Sequence, residues 1–175
     1  MRNPRTAMIS AAVVVFALGT AVPAAAGPTT ATVTITGGVL AISVPTDAGN
    51  LGTRANTVAA GTISGPLGQV QVNDARNAAA GSGWIASAIS TAFTPPAGPT
   101  LAASLVGYTA GTIVKTGTAT YTANDPAALT GVSAVVTATA ITGSNSATWN
   151  PTITVTVPGG TVSAVYSGTI THSLV

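Results

Sequence analysis

Apolar and polar positions alternate most regularly near the end of the chain. Ile153, Val155 and Val157 step past Thr152, Thr154 and Thr156 with a period of two, in β-branched residues that suit a pleated backbone. Pro158-Gly159-Gly160 interrupts that run with turn chemistry. Alternation then resumes, with Tyr166, Gly168, Ile170, His172 and Leu174 on one face and Ser167, Thr169, Thr171 and Ser173 on the other. The stretch from Ala147 to Leu174 therefore predicts two strands closed as a hairpin. An isolated hairpin is marginal in water, so the rest of the chain must cover its apolar face.

The same period recurs upstream. Thr29 to Thr36 sets Ala31, Val33 and Ile35 against threonines, Gly37-Gly38 offers a two-residue turn, and Val39 to Val44 runs back, which predicts a hairpin. Ala55 to Ser64 reads as a strand that Gly65-Pro66 ends. Leu67 to Asp74 follows, with Val70 and Val72 on one side, and Asn73 to Asn77 reads as a loop. Between Gly83 and Phe93 the residues Ile85, Ile89 and Phe93 recur at steps of four. That spacing suits one helical face and also strand parity; Gly and Ser at the start and the lack of charged helix formers favour the strand. One or two short strands fall between Leu101 and Ile113, then one at Lys115 to Thr122 and one at Ser133 to Thr142, with Gly143 to Ser146 as a polar loop. About nine to eleven short strands without a helix predict an all-β fold, a single antiparallel β-sandwich.

The first residues have a different character. Arg2 and Arg5 precede a short apolar run from Ala11 to Leu18, and Ala24-Ala25-Ala26 follows as a small-residue cleavage pattern. This predicts a signal peptide over 1–26, cut between Ala26 and Gly27, and a β-sandwich domain over 27–175. The apolar run is short against about 30 Å of hydrocarbon, which argues against an uncleaved anchor and predicts no stable membrane span after cleavage. The expected location is extracellular. No cysteine is present, so the domain must hold together without disulfides.

Removal of the leader changes the charge balance. The chain's net charge of +2 comes from Arg2 and Arg5; beyond Ala26, Arg54, Arg76 and Lys115 balance Asp47, Asp74 and Asp125, with no glutamate. A neutral domain gives no electrostatic support to nucleic-acid binding. It also lacks the like-charge repulsion that keeps Thr/Val-rich strands apart, so self-association is a possible behaviour.

Catalytic chemistry is sparse. His172 is the single histidine and sits in mid-strand, where a Ser/His/Asp arrangement needs a serine on a sharp turn and an aspartate beside it. Three dispersed aspartates have no metal-ligand spacing, and no phosphate-binding or dinucleotide fingerprint occurs, so no metal, cofactor or catalytic residue is predicted. Asp74 shares the parity of Val70 and Val72 and points toward the core edge. Arg76, two residues on, can return to it, and the amides of Asn77 and Ala78 can also donate, which predicts a structural clamp at the strand end. Trp84 and Trp149 are core residues or, if exposed, surfaces on which sugar rings stack; Asn150-Pro151 leaves Trp149 open to either reading.

Two blocks resemble a known family. The run Val72-Asn73-Asp74-Ala75-Arg76, a Gly-rich loop, Gly83-Trp84 and then Phe93 is similar to the D-x-R, G-W, F block of WxL-type cell-surface domains. The ending, Trp149-Asn150-Pro151, Val157-Pro158 and Tyr166-Ser167-Gly168-Thr169-Ile170-Thr171-His172-Ser173-Leu174, is similar to the C-terminal block of such domains in actinobacterial secreted proteins. The resemblance covers residues 60 to 175. The two Trp-x-Leu motifs read here as Trp84-Ile85-Ala86 and His172-Ser173-Leu174, each keeping one of its two defining residues. It implies a secreted, non-enzymatic domain that binds the Gram-positive cell wall, a peptidoglycan or other cell-wall glycan, non-covalently, with Trp149, Trp84 and His172 as binding candidates. The alternative from a different class is a self-associating coat protein; a hydrolase using His172 ranks third.

Overall fold

The computed structural model describes residues 30–175. The expected signal peptide and the Ala26–Gly27 cut lie outside these residues. Residues 35–175 form one compact unit; residues 30–34, the described part of the other, carry no strand. The all-β expectation holds. Among the described residues, eight strands form two antiparallel sheets: β1 (Leu40–Ser43), β2 (Gly61–Pro66), β3 (Val70–Ser90), β4 (Val106–Thr109), β5 (Val114–Ala123), β6 (Ser133–Trp149), β7 (Thr152–Val157) and β8 (Ile170–Leu174). A 3-10 turn at Ala103–Leu105 precedes β4. The large sheet has the order β1-β3-β6-β5, with β8 also on β3; the small sheet has the order β2-β7-β4.

There are fewer strands than the turn signals suggest because two strands pass through expected loops. β3 runs 21 residues across the expected Asn73–Asn77 loop, and β6 runs 17 across the expected Gly143–Ser146 loop. Their pairing keeps going by register shifts, between Asp74 and Ala78, Ala78 and Ser82, and Ser82 and Trp84. Bulges take up residues whose backbone is left-handed, such as Asn77 at φ 55° and Gly81 at φ 89°, and the ladder resumes beyond them. The piece from Gly83 is strand as far as Ser90, not helix, and Phe93 forms a bridge to Leu101.

Neither expected hairpin forms. β7 lies in the centre of the small sheet, between β2 and β4, while β8 joins the large sheet against Ala86–Ser90 of β3. Ile153 and Val155 are almost wholly buried, and a central strand has neighbours on both sides to achieve that. At the other end, only Leu40–Ser43 of the expected hairpin is strand, and it pairs with β3 rather than with residues 30–36. β2 also starts later than expected, and Gly65 and Pro66 lie inside it, opposite Ile153 and Thr152. Pro66 tolerates this as the last residue of an edge strand.

One core joins the sheets. Val70, Val72, Trp84, Val135, Val136, Ile141 and Trp149 come from the large sheet; Val106, Tyr108, Ile153 and Val155 come from the small one. Among the described residues, no helix is long and apolar enough to cross a membrane.

Candidate functional site: two internal polar clusters and an open cleft

The first cluster grows from the β3–β6 ladder. Opposing Asp74 and Asn145 are paired in register, so their side chains leave the sheet together. Asp74 is fully buried, and the Arg76 side chain is 38% exposed. Arg76 Nε donates to Asp74 Oδ1 and Arg76 Nη2 to Asp74 Oδ2, both at 2.9 Å. The Arg76 amide adds a third bond to Oδ1 at 3.1 Å, where the sequence pointed to the amides of Asn77 and Ala78. Asn145 Nδ2 reaches Oδ2 at 3.3 Å, while Asn145 Oδ1 accepts from Trp84 Nε1 at 3.2 Å and from the Tyr121 hydroxyl at 3.0 Å. The Arg76 side-chain bond holds the Asp74 carboxyl below its usual range against the opposing effect of burial. Asp74 likewise raises the affinity of Arg76 for its proton. Asp74 and Arg76 are bonded to each other at one end of a five-residue network whose Asn145 and Tyr121 the sequence reading missed.

The second cluster ties the sheets together. Trp149 Nε1 donates to the Tyr108 hydroxyl at 2.8 Å, and that hydroxyl lies 3.2 Å from His172 Nε2. An indole is only a donor, so the Tyr108 oxygen accepts from it, and the direction of its bond with His172 follows the imidazole tautomer. Burial lowers the His172 pKa and, as the main cause, pushes the Tyr108 hydroxyl well above the ordinary phenol range. His172 and Trp149 are thus brought together, through a tyrosine that parity alone did not single out.

Neither tryptophan offers a stacking face. Trp84 and Trp149 are each 2% exposed with the indole N–H bonded inside. The core reading of Trp84 stands; for Trp149, the exposed, sugar-stacking reading gives way to the core one. Among the described residues, no group of three or more His, Cys, Asp or Glu side chains could hold a metal ion.

Open space lies elsewhere. A cleft of about 770 Å³ runs between the loop 45–56 and the segment 161–169. Its floor is apolar: Ile63 of β2, Val155 and Val157 of β7, Leu67, Phe93 and Ile170 of β8. Both rims are built from local hydrogen bonds. Asp47 Oδ1 accepts from the Gly49 amide and Asn50 Oδ1 from the Gly52 amide, two Asx turns in succession. Arg54 is held to the Thr57 hydroxyl and the Ala59 carbonyl. Across the cleft, Thr94 and Ser167 form a bridge, the Thr169 amide donates to Thr91 Oγ1, and the Tyr166 hydroxyl donates to the Val162 carbonyl. Gly168 lies flat on Phe93, where a Cβ would come within 2.6 Å of the ring. Trp84, Trp149 and His172 do not line this cleft, and the aromatic rings that do are Phe93 and Tyr166. The sequence signal for it was the pair of Gly/Asn/Ser/Thr-rich loops.

Fold and sites together define a two-sheet antiparallel β domain with its polar clusters inside and its open cavity on loops. Comparison with protein-family models, with curated proteins and with solved structures finds no match for the chain.

Proposed function

We propose that this protein is a secreted, non-enzymatic surface domain that binds the Gram-positive cell wall, through peptidoglycan glycan, non-covalently in the cleft. The carrying observation is the chemistry of that cavity: an apolar floor with Phe93 and Tyr166, rimmed by the Asn, Thr and Ser groups of two loops and by one acid and one base, Asp47 and Arg54. A polymer with apolar sugar faces and many hydroxyls fits such a surface, which supplies stacking and hydrogen bonds without net charge. The volume falls within the ordinary range of ligand cavities, about 300–1,000 Å³. The signal-like N-terminus and the WxL-like blocks point to the same location. His172 serves this reading as an internal tie between the sheets, bonded to Tyr108 rather than to a nucleophile. The test is co-sedimentation of residues 27–175 with purified walls, with an inert insoluble polymer as the control. Pelleting with walls alone is expected; equal pelleting on both, or on neither, overturns the reading.

A further inference from the structure

We propose that residues 30–36 of one copy add as a strand to β5 of a second copy, so that the protein assembles head to tail. The donor segment has the sequence of a strand without a ladder. Ala31, Val33 and Ile35 alternate with threonines, yet Val33 is 88% and Ile35 91% exposed. The chain follows β3 only as far as the bonds from the Gly38 amide to the Ala75 carbonyl and from the Ala75 amide to the Val39 carbonyl. Just beyond, Asn77 at φ 55° bends the β3 edge, so the ladder of β1 has no regular continuation on its own β3.

The acceptor is the outer edge of β5, which has no strand partner among the described residues. In the small sheet, the Leu51 backbone crowds Gly65 of β2, and β4 is bonded through Tyr108 and Val106 to Pro126 and Leu129. β5 spans ten residues, pairs with β6 alone, and carries a single charge, Lys115. Such an edge invites another chain. Its partly buried Ala119 and Tyr121 pack against the core from the rim of the large sheet. An added strand with Val33 and Ile35 on that side would cover them, and no charge in residues 30–36 opposes it.

Geometry favours a second copy over the chain's own β5. β1 and β5 lie at opposite edges of the large sheet. Reaching the outer side of β5 takes four strand spacings, about 19 Å, which takes up about six of the seven donor residues before any pairing begins. Donor and acceptor are different surfaces, so the contact is heterologous and extends beyond dimers unless a ring closes.

Sedimentation velocity of residues 27–175 over a concentration series tests this, together with disulfide trapping, which the cysteine-free sequence makes unambiguous. The wild type should gain mass with concentration. The doubly substituted Val33→Asp, Ile35→Asp chain should keep its melting temperature, since both side chains are exposed, and associate about tenfold more weakly or less still. A chain with Ile35→Cys and Ala119→Cys, which share a face in the proposed ladder, should oxidise to a ladder of covalent oligomers, while each single substitution stops at dimers. Val165→Asp, on the cleft rim, should assemble as the wild type does, so this proposal and the wall-binding reading fail separately. A wild type that stays monomeric, a double aspartate variant that assembles unchanged, or a 35–119 disulfide that closes within one chain would each overturn the proposal.

Discussion

Trp149 donates its indole N–H to the Tyr108 hydroxyl at 2.8 Å, and this bond joins the large sheet to the small one inside a shared core. Tyr108→Phe leaves both the indole N–H and His172 without their partner. It should cost about 1–3 kcal/mol, read as a lower urea midpoint at an unchanged m-value. Trp149→Ala removes a large buried ring and should cost about 3–5 kcal/mol. A loss below about 0.5 kcal/mol for Trp149→Ala would place that ring at the surface.

His172 makes the same tie sensitive to pH. Burial lowers its folded-state pKa below the ordinary 6.5. The unfolded chain therefore binds this proton more readily, and stability falls as pH falls. The contribution is complete above about pH 6.5 and is lost as the pH drops through the folded value. Melting temperatures from pH 8 to pH 4.5 should decline for the wild type and decline less for His172→Leu. Equal slopes for the two proteins would remove His172 from the interior.

Asp74 titrates lower still. Its folded-state pKa is lowered chiefly by the Arg76 side-chain bond, so its contribution is present above about pH 3.8 and is lost below that. Asp74→Ala strands the guanidinium, the Arg76 amide and Asn145, and should cost about 2–4 kcal/mol. Arg76→Ala should cost a similar amount, because it leaves the buried carboxylate with fewer donors. The double variant should lose much less than the two losses combined. Additive losses in denaturant melts would show that the two side chains act independently.

What the sequence made legible followed from parity. Val70, Val72 and Asp74 face inward as their alternation requires, and Arg76 turns back to Asp74. Strand pairing was less legible. Thr152–Val157 and Ile170–Leu174 are both good strands, but which neighbours each takes depends on how much of Ile153 and Val155 must be covered, a property of the whole fold. The expected loops at Asn73–Asn77 and Gly143–Ser146 failed for a related reason: turn-forming residues also suit bulges, and a long partner strand can hold them in a ladder. Of the candidate site, the tryptophans drew attention because they are rare. The cleft lies instead between loops whose residues are individually ordinary.

One such bulge carries strain that can be relieved. Ala140 sits at φ 52° in β6, a conformation that costs a residue with a Cβ about 1 kcal/mol or more. Ala140→Gly should therefore raise the melting temperature slightly, by a gain of up to about 1 kcal/mol, offset in part by the greater freedom of glycine in the unfolded chain. A clear loss of stability would show that the Ala140 backbone is unstrained.

The central claim is that the cleft binds the wall. The most direct measurement is the affinity of residues 27–175 for purified Gram-positive walls, compared with the Val162→Asp and Val165→Asp variants. Both side chains line the cleft at 49% and 79% exposure, so a carboxylate at either position should leave the fold intact. The account predicts wall binding that added salt does not release, because the domain beyond Ala26 is formally neutral, and about a tenfold or greater loss for each variant at unchanged melting temperature. Undiminished binding by both variants, or release of the wild type by salt alone, would contradict it.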